Sequence, residues 1–252
     1  MTNERLGVSS ADLDDLDLPK LDAFLAERVP TLLASSSREE VATRVGLLSK
    51  SPPRVVPSVT GLYVFGKLPQ LYFPEWGVAC MASGGTTLLD SIAAKVDLEG
   101  GLGALLEGSL SFVRAHAGGE GAPDASEYDP AIVREVLVNA LVHRDLRRPS
   151  RVAVRLFADR LEVWSPGGPP EGMSDLEELA RDGGISQPRN PLLASIARSL
   201  GYGEQLGRGL NLLTHRGGAS LEHRPEIRST TKDVLVVLPS RWKRPRVAQE
   251  LS

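Results

Sequence analysis

The sequence predicts an α+β fold, a smaller N-terminal α/β segment followed by a more regular C-terminal domain, and three observations carry that reading. Ile132 to Val142 places Val133, Val136, Leu137, Ala140 and Leu141 in a continuous stripe at helical spacing. Arg151 to Leu156 alternates polar and apolar residues and, after the turn Ala158-Asp159-Arg160, resumes as Leu161-Glu162-Val163-Trp164, the pattern of a hairpin with one buried face. Between the two parts, Ala117 to Ala125 is rich in Gly, Ala, Glu and Pro and has no hydrophobic period, which marks a boundary. The expected units are 1–116, a linker at 117–127, a domain at 128–240 and a basic tail at 241–252.

The first helix starts at Asp17, a capping residue, with Pro19 in its first turn and Leu21, Phe24, Leu25, Arg28 and Val29 recurring at helical spacing. The acidic run before residue 18 reads as a solvated approach. Ser35-Ser36-Ser37 precedes a second short helix, Arg38 to Leu48, which stops before the breaker Pro52-Pro53. Gly61-Leu62-Tyr63-Val64-Phe65 and Gly77-Val78-Ala79-Cys80-Met81 read as strands separated by a Pro-containing loop, and Leu102, Leu106, Leu110 and Val113 line a helix. In the second half, Ser165-Pro166-Gly167-Gly168-Pro169-Pro170 ends the hairpin abruptly. A helix over about Pro191 to Leu200 leads to Gly207-Arg208-Gly209, and Val234 to Leu238 makes a last buried strand. No internal repeat is present.

Composition narrows the functional classes. At 252 residues with 41% hydrophobic and 24% charged side chains, the chain can bury one large core or two modest ones. A formal charge of −3 and a pI near 5.9 leave no global electrostatic footprint for nucleic acid. The single cysteine, Cys80, excludes an internal disulfide, and no Cys/His cluster has zinc-ligand spacing. With no signal-like start and no apolar run near the ~20 residues that span a bilayer, the expectation is a soluble cytoplasmic protein.

Glu135, Asn139 and His143 are four residues apart and so share one face of a helix, set apart from its apolar stripe. Asn competes with backbone hydrogen bonds in mid-helix, so its placement invites a functional reading beside that of an exposed polar face. Its oxygen suits a hard cation such as Mg²⁺, and a Glu one turn earlier could orient or deprotonate water. Gly167-Gly168 follows a strand, and Gly207-Arg208-Gly209 precedes Leu210-Asn211-Leu212-Leu213, a helix whose N-terminus would favour an anion. Taken alone, Gly-Gly after Pro is more often just a turn, and Gly-Arg-Gly more often a helix cap or loop. His143-Arg144-Asp145 has no Ser or Cys nucleophile in a recognisable elbow nearby, which sets a hydrolase triad aside.

The order of these motifs resembles the ATP-binding domain of bacterial transcriptional regulators of the RecG-like kind. The residues that carry the likeness are Arg134 to Asp145, Asp159 to Gly168, Arg189-Asn190-Pro191 and Gly207-Arg208-Gly209-Leu210. Thr60 to Gln70 looks like the closing part of the Schlafen AlbA-type domain that usually precedes it. The resemblance runs from about residue 13 to 240. It implies a two-layer sandwich of the GHKL type (histidine-kinase/gyrase-like), binding ATP and Mg²⁺. Glu135 and Asn139 then match the N box that places metal and water, and Gly167-Gly168 and Gly207-Arg208-Gly209 are the nucleotide loops. His143 and Arg208 join the set at the cofactor. Ser165 stands where many GHKL proteins carry the aspartate that reads the adenine amino group, so adenine selectivity and hydrolysis stay open, with weak ATPase activity as the upper bound.

Two readings follow. In the first, nucleotide occupancy regulates contact with a protein partner. In the second, the fold is a non-catalytic scaffold that inhibits or escorts a partner, and nucleotide is not required. The family's DNA-binding ends look missing, so nucleic acid is not expected to be bound by this chain alone. The basic tail Arg241-Trp242-Lys243-Arg244-Pro245-Arg246 reads as solvated. No membrane partner is implied, and a homodimer is compatible with the sequence.

Overall fold

The computed structural model describes residues 3–118, 127–169, 188–202 and 225–241. The Gly-rich part of the linker, Gly207-Arg208-Gly209 and the tail beyond Arg241 lie outside the described residues. Asp17 accepts the Lys20 N–H at 3.2 Å and Pro19 fills the first turn, so α1 (Leu18–Arg28) begins where expected and buries Leu21, Phe24 and Leu25. A single turn, α2 (Pro30–Leu33), follows. Ser37 and Glu40 form a capping box at the head of α3 (Arg38–Val45). That helix stops short of the expected Leu48 because Gly46 turns left-handed at φ 90°, and Leu48 instead opens β1 (Leu48–Ser51). Pro52-Pro53 does more than break the chain: it turns β1 into the antiparallel β2 (Arg54–Pro57).

The clearest correction is α4 (Val59–Phe65), a helix where Gly61 to Phe65 was expected to be a strand. Every residue from Thr60 to Phe65 is buried, so the run shows neither a period of two nor one of 3.6, and a short apolar run is ambiguous by periodicity alone. Two contacts from outside the run decide it. Ser58 Oγ accepts the Gly61 N–H at 2.9 Å as an N-cap, and Gly61 lets the helix sit directly on the Leu47 carbonyl.

The remaining elements are β3 (Val78–Ser83), β4 (Ile92–Leu98), α5 (Leu102–His116), α6 (Pro130–Val142), β5 (Val152–Leu156), β6 (Arg160–Pro166), α7 (Pro191–Ser199), β7 (Glu226–Ser229) and β8 (Asp233–Pro239). Six strands form one sheet in the order β4-β3-β5-β6-β8-β7. β3 and β5 run parallel and every other neighbouring pair is antiparallel. The sheet therefore takes strands from both sides of the 117–127 segment. β4 and β7, which the sequence pattern did not reveal, are its two edges. The expected last strand is present as β8, with Val237 and Leu238 buried and Val234 to Val236 only half-buried.

Alternation puts Val78 and Cys80 of β3, Val152, Val154 and Leu156 of β5, and Leu161 and Val163 of β6 on one face, all buried. That face packs against α5 and α6, and α4 packs against α5. The result is the expected α+β layering of helices on a mixed sheet, with one continuous apolar core. Among the described residues no helix is long and apolar enough to cross a membrane.

The Gly61 contact gives a direct check. A Cβ at this position would lie 1.9 Å from the Leu47 carbonyl oxygen, and backbone on backbone cannot give way cheaply. Gly61→Ala is expected to destabilise the chain by more than about 2 kcal/mol despite alanine's better helix propensity, read as a lowered midpoint in urea unfolding.

Candidate functional site

Asp129 accepts the Ala131 N–H at 2.8 Å and Pro130 occupies the first position, so α6 begins cleanly and projects its polar residues at fixed heights. The helix is more enclosed than expected. Nine of its 13 residues are buried, and Glu135, at 8% exposure, is one of them. Asn139, half-buried one turn later, donates its Nδ2 to Glu135 Oε1 at 3.0 Å. A carboxylate only accepts, so this contact fixes the amide's orientation and turns Asn139 Oδ1 away from Glu135.

His143 ends the helix, its N–H bonded to the Asn139 carbonyl at 3.0 Å. Burial, with the charges of Arg189 and Arg198 nearby, lowers its pKa to about 4. The imidazole is therefore neutral at physiological pH. It offers one N–H and one lone pair, and it is a poor cation for phosphate.

Beyond His143 the chain is stitched down by groups to which the sequence reading gave no role of their own, three of them inside the quoted motifs. Arg144 is fully buried and donates Nη2 to the carbonyls of Glu75 at 2.7 Å and Ser150 at 2.8 Å. Asn190 Nδ2 donates to the carbonyls of Val142 at 2.8 Å and Arg144 at 2.9 Å, closing the end of α6. Tyr63 Oη donates to the Leu141 carbonyl at 3.1 Å. Glu4, from the N-terminal segment, accepts the N–H groups of Leu192 at 3.2 Å and Leu193 at 2.7 Å and so caps α7. The signal for Asn190 was its place just before Pro191 at a helix start. Glu4 had none, because its partners are main-chain N–H groups at the far end of the chain. Arg144 stood inside a motif, but its role lies in main-chain carbonyls at Glu75 and Ser150 that spacing does not show.

Asp145 gathers the surrounding cations. Its carboxylate accepts Arg147 Nε at 3.0 Å and Nη2 at 3.1 Å, with Arg189 Nη1 at 3.7 Å and Arg148 Nε at 3.9 Å. Burial acts to raise its pKa, but the Arg147 hydrogen bonds and the charges of Arg147 and Arg189 prevail and hold it below the usual carboxylate value.

The strand side of the site is equally committed. Ser165 is buried on β6 and donates its hydroxyl to the Ala140 carbonyl at 2.8 Å, tying strand to helix. Gly167 has φ 103° and gives its N–H to the Lys232 carbonyl at 2.7 Å, and a Cβ there would lie 2.8 Å from Asp145 Cβ. A Cβ on Gly168 would lie 2.1 Å from the Thr230 carbonyl oxygen, and the Gly168 carbonyl accepts from Arg189 Nη2. Both glycines are thus required by contact with their surroundings.

The fold brings together three of the motif segments, His143 to Asp145, Ser165 to Gly168 and Arg189-Asn190, while Gly207-Arg208-Gly209 falls outside the described residues. A cleft of about 970 Å³ opens beside them, lined by Glu4, Ser9, Trp76, Asp145, Arg147 and Arg189 among others. Glu135, Asn139, His143, Ser165, Gly167 and Gly168 do not line it.

Comparison with known proteins agrees with this architecture. Residues 150–238 match the family model described as "Putative ATP-dependent DNA helicase recG C-terminal". That stretch is therefore similar to a RecG-type ATPase-like domain, and the six-stranded sheet with its helices is consistent with a GHKL-like α+β sandwich. The match begins beyond α6. Among solved structures, the DIP2311 protein from Corynebacterium diphtheriae shares the fold with a TM-score of 0.66 over 97% of this chain at 23% identity. The chain spans 41% of the length of that protein. No curated protein matches the chain.

Two outcomes test the site's electrostatics and packing. His143 has a lowered folded pKa, so below pH 6.5 the unfolded chain binds a proton that the folded chain refuses, and stability falls as pH drops from 6.5 toward 4. Carboxylates with lowered values, such as Asp145, lose their contribution only around and below their ordinary value of 3.8. His143→Asn is therefore expected to flatten the decline between pH 6.5 and about 4.5 in urea-unfolding measurements, and an unchanged slope would count against the assignment. Ser165→Ala removes a buried bond between β6 and α6 and is expected to cost about 1 kcal/mol in the same assay at pH 7.

Proposed function

We propose that this protein binds ATP with Mg²⁺ in a GHKL-like site and uses occupancy to regulate contact with a protein partner in the cytoplasm, as a relative of the RecG-like transcriptional regulators. On this reading the segment that ends with α4 and its following loop is the closing part of a Schlafen AlbA-type domain. The observation that carries the proposal is the Glu135–Asn139 pair. Its hydrogen bond at 3.0 Å sets the amide so that Asn139 Oδ1 is directed elsewhere, as a ligand for a hard cation must be. Asn139 would hold the metal, and Glu135 would orient water beside it. Bound Mg²⁺ would supply charge neutralisation for the phosphate oxygens. Ser165, with its one proton given to Ala140, is left as an acceptor, the same polarity toward an adenine amino group as the aspartate it stands in for. Any hydrolysis would be slow, because the neutral His143 supplies no positive charge.

A second reading has an observation in its favour. The Gly167 N–H is spent on Lys232 and Gly168 is packed on Thr230, so this glycine loop has a purely structural reason to exist. That is what a scaffold which binds and inhibits or escorts another protein would retain.

Equilibrium titration with ATP and Mg²⁺ separates the two. Saturable binding is expected, weakened about tenfold or more in Asn139→Ala, the equivalent of one lost ligand contact of ~1.4 kcal/mol. Glu135→Gln should keep the affinity and lower whatever turnover the chain has. A folded chain that takes up no ATP at millimolar concentration overturns the nucleotide reading and leaves the scaffold.

A further inference from the structure

We propose that β4 is a self-association edge, where a second copy of this chain pairs antiparallel to extend the six-stranded sheet across a two-fold axis centred on Val96. β4 is the outermost strand on its side, and among the described residues no strand pairs with its outer edge. Natural sheets blunt such edges with prolines, short strands, charged side chains, bulges or cover. β4 has two of these, the exposed Lys95 and the register shift opposite Ser83, so the open part of the edge is the regular stretch 94–98. Here the edge strand is seven residues long and contains no proline, and five of its residues are exposed. Four of the seven large apolar side chains exposed among the described residues belong to this hairpin: Leu88 at 60%, Leu89 at 97%, Ile92 at 55% and Val96 at 38%.

Two independent features set the same centre. The first is register. Ala94 to Leu98 pair regularly with Ala82 to Val78, and the register then shifts at Ser83, so the straight part of the edge is the five residues 94–98, whose midpoint is Val96. The second is charge. Lys95 and Asp97 flank Val96 and are exposed on the face opposite Val96. An antiparallel copy centred on Val96 sets Lys95 against Asp97 of its mate, twice by symmetry, with Val96 against Val96 and Ala94 against Leu98 on the other face. Shifting the centre by one residue places Lys95 against Lys95 or Asp97 against Asp97. Asp97 already has Arg151 Nη1 at 3.3 Å, and Arg151 also reaches Glu99 at 3.8 Å, so the incoming lysine joins a partly balanced cluster.

The test is the molecular mass of the full chain in solution by sedimentation equilibrium over a concentration series. The wild type is expected to dimerise. Lys95→Asp sets a carboxylate against Asp97 of the other copy at both contacts and is expected to raise the dimer dissociation constant at least tenfold. The charge exchange Lys95→Asp with Asp97→Lys, made together with Arg151→Gln so that the new lysine does not face a cation in its own chain, restores opposite charges across the axis and should bring dimerisation back, an effect that loss of fold cannot mimic. Two outcomes overturn the proposal: a wild type that is monomeric throughout the series, or a Lys95→Asp variant that dimerises as tightly as the wild type.

Discussion

The parallel pairing of β3 with β5 is the constraint on which the rest of the molecule depends. Two parallel neighbours cannot be joined by a tight turn, so the chain between them has to cross the sheet. It does so with α5 and α6, after β4 has been laid down on the other side of β3. This crossover presses α6 onto β6, and Ser165 of that strand reaches back to the Ala140 carbonyl. It also explains why strands from either side of the 117–127 segment share a core. The sheet would lose an edge pair, and α5 would lose its floor, if the two parts were built separately.

Where α6 leaves the sheet, the packing becomes polar, and the reason is main-chain accounting. The end of a helix presents carbonyls with no partners of their own, and burying them without donors is costly. Asn190 supplies two donors, Tyr63 one, and Arg144 serves the neighbouring turns at Glu75 and Ser150. A fully buried guanidinium is expensive to desolvate, by several kcal/mol even after relaxation, so it persists only where it holds geometry that apolar groups cannot. What it holds here is the exit of α6, and with it the position of Asp145 and the cations around it.

Much of this was legible in the sequence, and the failures share a cause. The elements α1, α5 and α6 and the β5–β6 hairpin were read from their own periodicity, because each carries an apolar stripe at its element's period. Gly61 to Phe65 was misread because it is buried all round, so the choice between helix and strand came from Ser58 and Leu47, outside the run. β4 and β7 escaped because edge strands are half-solvated and carry a weak pattern: Ile92-Ala93-Ala94-Lys95-Val96-Asp97-Leu98 is mostly exposed on both faces. At the site, spacing put Glu135 and Asn139 on one helix and His143 at its C-cap, yet it could not reveal that Glu135 is enclosed or that His143 is forced neutral. Those properties belong to what packs over the helix.

The site's polar groups also divide by whether their hydrogen-bonding capacity is used up by the fold. Gly167 N–H, the Ser165 proton and the Asn190 amide protons are all given to main-chain carbonyls, so they define the shape of the site without offering donors to a ligand. Asp145 is spent on arginines in the same way. Asn139 differs, because its partner is a carboxylate that can take only its N–H, and the acceptor half of the amide is thereby held in one orientation. On the proposed reading, an oxygen held on a rigid helix beside a buried carboxylate would need little reordering to take a cation. The same packing that consumes the donors of the site is what gives this one acceptor its direction.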